Sequence, residues 1–510
     1  MQRAIGGATS SGLLKIDFCY QSHGYRSIER IDVRDPVLLA QMRQPEMPPA
    51  AVSLSPSRIS GQTRGRATSV PAKRGTLTAF GHLCPSLFRN QAIRVHVGCK
   101  QSRLNGCHVS SRPNIPLGNL RAVVIFIVVA FHSVLSYLAS QPPRPFPFDV
   151  APYRWIAFPI LDPERWFGFD LFCAWQDVSL MSLMFFLAGL FTAASLSRKG
   201  LAYLSERWWR IGLPFLLAVG VLSPTAYFAS YRTTATDPSV TAFWQHWMAL
   251  PMWPSGPAWF LWQLLLLNTL AAALHALAPP RVQAVGRLAA TFSDRPLAFC
   301  TGLIALSVLA YVPLAMVFTP WDWTSLGPFS LQLSRPLHYI IYFFAAFTIG
   351  SHGIDRSVLR ADGPLARHWL AWLAAAVASL AVWGGLTSLT LPDWNASPLT
   401  YRLAAALAFP AACAAGALSL LAICLRLMRT RHRVLDSLSA HAYNIYLLHY
   451  VFVVWLQYTL LGVGLVAIEK AALVFVGALA LSWAVSAGLM RLAALFSDLT
   501  GKQPIADQLR

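Results

Sequence analysis

The chain has 510 residues, of which 55% are hydrophobic and only 12% charged, with 18 tryptophans and long runs free of Lys, Arg, Asp and Glu. That composition excludes an ordinary soluble domain and points to an all-α, polytopic integral membrane protein. The net charge of +20 is no sign of nucleic-acid binding, because no zinc-finger spacing, P-loop or aromatic-basic RNA motif accompanies it; it reads as membrane-side bias.

Residues 1–118 hold 16 Lys and Arg against 5 Asp and Glu, a net of +11, and leave the other +9 for loops between apolar segments. This region is rich in Ser, Arg, Gly and Pro (SPSRISGQTRGRATSVPAKRG), has no sustained period and lacks the n-region and h-region of a signal peptide. The expectation is a mostly disordered tail. It is either a basic cytoplasmic tail touching anionic lipid or the product of a translation start assigned too far upstream. The second account is preferred, because no motif precedes Asn119. Eight cysteines without a CxxC pair imply neither a disulfide framework nor a metal site.

A helix needs about 20 apolar residues to cross a bilayer. From position 119 the sequence predicts about ten such helices: 119–140, 178–197, 210–230, 257–278, 297–318, 337–353, 368–389, 402–426, 441–462 and 468–491. With the N-terminus inside, the loops on that side after the first helix hold 17 basic residues, and the opposite loops hold seven: Arg144, Arg154, Arg165, Arg232, Arg335, Arg402 and Lys470. The Lys/Arg bias therefore puts both termini in the cytoplasm. The organisation expected is a tail (1–118), a transmembrane domain (119–492) and a short cytoplasmic tail (493–510).

The first of these helices contains RAVVIFIVVAFH, residues 121–132. Eleven positions separate Arg121 from His132, almost three whole turns, so both side chains point the same way, roughly 16 Å apart along the axis. An ionisable residue deep in a span is costly and marks function, so His132 is the leading candidate catalytic residue. Arg121 is either a positive-inside anchor or part of the same site.

The pattern R-x10-H in a first transmembrane helix resembles the membrane-bound acyltransferase 3 family, and further blocks carry the resemblance from Asn119 to about Arg491. SLMSLMFFLAGLF resembles the family's second-helix block. SRKGLAYLSERWWRIGLPF resembles its R-x2-R-x3-P block, with Arg207, Arg210 and Pro214. GPAWFLWQLLLLN resembles the WFL block of the fourth helix, and LSAHAYNIYLLHYVF the penultimate-helix block with Tyr443, Tyr446 and His449. The resemblance implies O-acylation of periplasmic or cell-surface glycans at a bacterial-type inner membrane. Within the family the chain is most similar to the branch of the glucans biosynthesis protein C type, which implies succinylation of glucans.

Physical chemistry suits that reaction. A cytosolic acyl-CoA carries phosphates, so its binding mouth should be a cluster of arginines on the inner face, where Arg121, Arg207 and Arg210 fall. The long, thin pantetheine arm would then bring the thioester to His132, whose neutral imidazole can act as general base on a sugar hydroxyl or carry the acyl group itself. Acyl-CoA is a co-substrate, and no tightly bound cofactor or metal is expected; the other partners are a carbohydrate acceptor and the lipid bilayer. Possible supporting residues are His449, taken to lie about 12 Å deep in its helix, Tyr446, and Asp170 and Asp177 of the first outer loop. The string HRVLD at 432–436 matches an HxxxD pattern but is read as chance in a basic loop. His275, His338 and His352 are read as interfacial, and the outer-loop tryptophans as an aromatic belt. The alternative function is a carrier or flippase for a lipid-linked saccharide, for which inverted repeats and broken helices are the expected marks. The acyl group, the glycan, the choice between general base and acyl-histidine, and the oligomeric state are left open.

Overall fold

The computed structural model describes residues 114–500 apart from 201, 279–285, 288–289 and 392, with side chains described to 495. The chain divides into two compact units, 1–110 and 111–510. In the first, the backbone of four strands is described: β1 (Ile5–Ala8), β2 (Leu14–Ser22), β3 (Tyr25–Val33) and β4 (Val97–Cys99), an antiparallel sheet in the order β1-β2-β3-β4. The sequence reading did not foresee these strands. Residues 114–118, expected to end the tail, instead form the cap and first turn of the helix that opens the second unit; the rest of the expected tail, the loop residue Arg281, and Lys502 and Arg510 lie outside the described residues.

The second unit is a helical bundle. In chain order its main helices are α1 (Ile115–Val134), α2 (Phe167–Lys199), α3 (Ala202–Arg232), α4 (Val240–Ala249), α5 (Trp259–Leu277), α6 (Pro296–Val317), α7 (Pro336–His352), α8 (Trp369–Ser388), α9 (Leu399–Leu427), α10 (Arg433–Thr459) and α11 (Ala467–Thr500). Between α6 and α7 a small hairpin forms from β5 (Trp323–Leu326) and β6 (Phe329–Gln332).

Among the described residues, eight helices are long and apolar enough to cross a membrane: α1, α2, α3, α5, α6, α8, α9 and α11. The other two expected spans coincide with α7, which has 17 residues, and α10, whose His, Tyr, Asn and Gln residues lower its hydropathy. Several boundaries differ from expectation: α3 begins at Ala202 rather than 210, α11 runs to Thr500 rather than 491, and two further shifts move candidate residues. Helix α2 begins at Phe167 rather than 178, so Asp170 and Asp177 stand on a helix and not in a loop. Helix α10 begins at Arg433 rather than 441, so HRVLD covers its first turn. Hydropathy registers only the apolar part of a span, whereas the hydrogen-bond ladder runs on through polar residues that find solvent or partners.

Local chemistry explains how the bundle closes. Helix α1 starts at a capping asparagine, Asn114, whose side chain accepts from Leu117 N, with Pro116 in the first turn, where its missing N–H is not needed. Helices α2 and α7 pack along their length. Gly189 faces the carbonyl of Phe343 and Gly350 that of Leu190 so closely that a Cβ at either glycine would collide with backbone; small residues permit this approach where apolar lipid gives no hydrophobic push. Helices α1, α2 and α9 are mostly buried, whereas α6, α8 and α11 turn much of their surface outward. Helix α10 packs against both α1 and α11.

Candidate active site

Two backbone anchors set the register between α1 and α10. At one end, the buried Asn119 donates through Nδ2 to the carbonyls of Met428 (3.0 Å) and Thr430 (3.1 Å), in the turn that leads into α10. Further along, Gln457 Nε2 donates to the carbonyls of His132 (2.9 Å) and Ser133 (3.2 Å). His132 lies 17 residues into α1 and His449 lies 16 into α10, roughly 26 and 24 Å from their starts. The histidines therefore meet, with His449 Nε2 3.2 Å from His132 Nδ1. The earlier depth of about 12 Å for His449 was too shallow because α10 starts eight residues before the apolar run.

His132 is half-buried, and its Nδ1 lies 2.9 Å from the carbonyl of Val128, one turn back. A carbonyl only accepts, so Nδ1 carries the proton of the neutral ring and Nε2 keeps its lone pair. That nitrogen has no hydrogen-bond partner among the described residues and is not sealed from solvent. His449 is fully buried. The edge of Tyr450 packs on His132, with centroids 5.4 Å apart at 80°. Tyr450 in turn donates to Tyr227 Oη (3.3 Å), and Tyr227 donates to the carbonyl of Ile156 (2.8 Å). A small cavity between α3 and α10 shares the Tyr450 ring and is lined also by Ala218, Leu222, Ser223, Ser255 and Tyr446.

The arginines stand at the end of the bundle where α1 and α3 begin. Arg121 is exposed. Helix α3 is continuous but widens in two π-helical turns, Trp208–Gly212 and Ala218–Leu222, each followed within two residues by a proline, Pro214 or Pro224. A proline has no N–H to give the carbonyl four residues earlier and crowds it. For Pro214 that carbonyl belongs to Arg210, and Tyr443 of α10 donates its hydroxyl to it at 2.7 Å. The Arg210 guanidinium pairs with Glu206 at 2.7 Å, and Glu206 also pairs with Lys199. Arg207 lies over the Tyr203 ring at 4.8 Å, and its Nε has no hydrogen-bond partner. Tyr443 ties the arginine-bearing part of α3 to α10, and Thr430, in the turn before α10, ties in the start of α1.

Other expected residues are engaged elsewhere. Tyr446 flanks His449, with centroids 6.0 Å apart, but donates its hydroxyl to Pro257 O, on the turn before α5. Asp170 accepts from Ala139 N (2.8 Å) and Ser140 N (3.1 Å), capping the chain after α1, and does not orient His132. Asp177 forms a bidentate pair with the buried Arg335 (2.5 and 2.7 Å). His338 is not interfacial: the packing of α7 on α2 buries it completely, 3.0 Å from Ser182 Oγ. Two basic residues assigned to loops, Arg335 and Lys470, are in fact buried in ion pairs, the latter with Asp162 at 2.9 Å. His432 and Asp436 of HRVLD are exposed. Among the described residues no three His, Cys, Asp or Glu side chains come together as a metal site. Gln457, Tyr450 and Tyr227 were not anticipated, although a glutamine inside the apolar run YVFVVWLQY was a readable signal of a buried polar contact.

No curated protein and no solved structure matches the chain. A family model described as an acyltransferase domain matches residues 116–487, from the second residue of α1 into α11, and takes in both imidazoles and all three arginines. With its apolar spans and that match over most of its length, the chain belongs to the acyltransferase 3 family and is an integral membrane acyltransferase.

Proposed function

We propose that this acyltransferase moves a short acyl group from cytoplasmic acyl-CoA to a hydroxyl of a periplasmic or cell-surface glycan, working in a bacterial-type inner membrane with both termini in the cytoplasm. The observation that carries the reading is the free Nε2 of His132, deep in α1 and three helical turns from Arg121. Arg121, Arg207 and Arg210 meet the donor's phosphates, and planar guanidinium forks suit that task better than ammonium groups. Arg207 has an unpartnered Nε, and Glu206 holds Arg210 in place while neutralising part of its charge.

The thioester carbonyl then lies beside His132. Nε2 takes the proton of a sugar hydroxyl as that oxygen attacks the carbonyl carbon. The C–S bond breaks, and the imidazolium returns the proton to the departing CoA sulfur. Alternatively the same nitrogen attacks the thioester carbon, the C–S bond breaks and CoA leaves as its thiolate; the sugar hydroxyl then attacks the acyl-histidine carbonyl, the N–acyl bond breaks, and the hydroxyl proton passes to the CoA thiolate.

The test is mass spectrometry of periplasmic and surface glycans from cells lacking the gene and complemented with wild type or His132→Gln. Glutamine keeps hydrogen bonding but cannot act as a useful base. Wild type should restore acylated glycans, and His132→Gln, matched for protein level and acyl-CoA binding, should not. Unreduced acylation in the glutamine variant would overturn the reading. Glycans that never carry the acyl group, together with wild-type-dependent movement of a lipid-linked saccharide, would establish the carrier instead.

A further inference from the structure

The contact between the two imidazoles has a definite proton arrangement. His449 Nδ1 lies 2.7 Å from the carbonyl of Tyr446 and 3.2 Å from that of Ile445. Both oxygens only accept, so Nδ1 of His449 carries a proton and its Nε2 presents a lone pair. That lone pair meets His132 Nδ1 at 3.2 Å, and the proton on this atom is already required by Val128 O. One N–H is thus shared between a carbonyl and an imidazole. The opposite assignment for His132 would set a nitrogen lone pair against a carbonyl at 2.9 Å and a second lone pair at 3.2 Å. The rings meet at 62° with centroids 4.9 Å apart, an edge contact and not a stack.

Among the described residues no carboxylate takes part. The hydrogen-bond partners of the two rings are main-chain carbonyls and each other, and the aromatic neighbours are Phe131, Tyr446 and Tyr450. We propose that His449 is the positioning residue of the site: its neutral imidazole fills the place a carboxylate occupies in a soluble triad, holding His132 in the tautomer that leaves Nε2 free and stabilising the imidazolium formed in transfer. The inference rests on His132 being the base or nucleophile.

A permanent anion at this depth would be costly to bury, whereas a neutral acceptor adds no charge to the resting protein. When Nε2 takes the hydroxyl proton, the positive charge spreads over the ring and the Nδ1–H bond to His449 becomes charge-assisted and stronger. When the proton leaves Nε2 for the CoA sulfur, that bond relaxes to its resting strength, and no proton or electron is left over. Gln457 supports the arrangement from the main-chain side by holding the carbonyl of His132.

The test uses the full chain in liposomes with acetyl-CoA as donor and a soluble glucan oligosaccharide as acceptor, comparing His449→Leu, which removes the acceptor, with His449→Gln, which retains one. A hydrogen bond to a charged group converts to roughly 10- to 100-fold in rate. His449→Leu should lose about that factor in kcat with the KM for acetyl-CoA unchanged, and His449→Gln should recover most of it. A solvent-deuterium proton inventory adds a readout that packing does not move: curved in wild type, where two protons change bonding in the transition state, and linear in His449→Leu. Wild-type kcat in His449→Leu, or losses in both variants that follow the amount of folded protein with the inventory still curved, would overturn the proposal. His132→Gln run in parallel separates the two ideas. Full activity there sinks the acyl-transfer reading itself, whereas its inactivity beside a fully active His449→Leu sinks only the role of His449.

Discussion

His132 and His338 are two imidazoles in the interior of one helical bundle, on α1 and α7, each with an unpartnered ring nitrogen. At His338 that nitrogen is Nδ1, sealed from solvent and walled by the rings of Tyr342 and Phe409, while Nε2 meets Ser182. One turn earlier stands Arg335, paired with Asp177 and laid over Phe409 at 4.7 Å. At His132 the unpartnered atom is Nε2, which remains reachable, and its neighbours are a second neutral imidazole and an aromatic edge. Burial and polarity are common to both places. What separates them is exposure: the α2–α7 cluster is fully buried around His338 and joins two helices, whereas the ring of His132 in the α1–α10 cluster is half-buried, with Nε2 unpartnered among the described residues.

The sharpest way to break this comparison is to make the same substitution at both histidines. His132→Gln should lower acyl transfer about 10²- to 10⁴-fold, as expected for loss of a general base. His338→Gln should reduce the yield of folded protein while each folded molecule keeps its rate, measured as transfer per mole after size-exclusion chromatography. Next in size is the ion pair. Arg335→Met leaves Asp177 without its partner and should cost about 3 kcal/mol, the low end for breaking a buried pair, because the Asp177 side chain is 34% exposed. Thermal unfolding in detergent reads the loss, and adding Asp177→Leu should recover much of it.

A third prediction tests the donor end. Replacing Arg207 and Arg210 together with Gln should raise the KM for acyl-CoA roughly 10- to 100-fold, the value of charge-assisted bonds, with the same insertion topology; an unchanged KM would remove both from the site. Arg121→Lys keeps the charge but not the planar fork, so full activity there would favour the anchor role. Smaller still is Tyr443→Phe, which frees the Arg210 carbonyl beside Pro214. About 1 kcal/mol for one neutral hydrogen bond gives a several-fold rise in the same KM. Deleting residues 2–112 spares the Asn114 cap and both clusters, and activity in membranes should survive.

Much of the α1–α10 cluster was legible in the sequence because its strongest signal is local. Eleven positions between Arg121 and His132 fix one face of a helix whatever surrounds it. The depth of His449 was misjudged because it depends on where α10 begins, and residues 433–440 carry polar side chains that hydropathy discounts. The α2–α7 cluster was not legible. Asp177 and Arg335 are 158 positions apart, and nothing near either one announces the other. Asn119 and Gln457, which set the register of α1 against α10, are likewise joined to carbonyls more than 300 positions away. The prolines of α3 were visible, but the use of the freed Arg210 carbonyl by Tyr443 required knowing that α3 and α10 are neighbours.

On the proposed function, His132 serves a donor entering from the arginine end and an acceptor on the other side of the membrane. The most direct measurement is sidedness in sealed proteoliposomes of uniform orientation, with radiolabelled acetyl-CoA confined to the face bearing Arg207 and Arg210 and a soluble glucan oligosaccharide confined to the opposite face. Label should appear on the oligosaccharide with wild type and fail to appear with His132→Gln, and reversing the two compartments should abolish transfer. Label transfer only when donor and acceptor share one compartment, or undiminished transfer by His132→Gln, would contradict it.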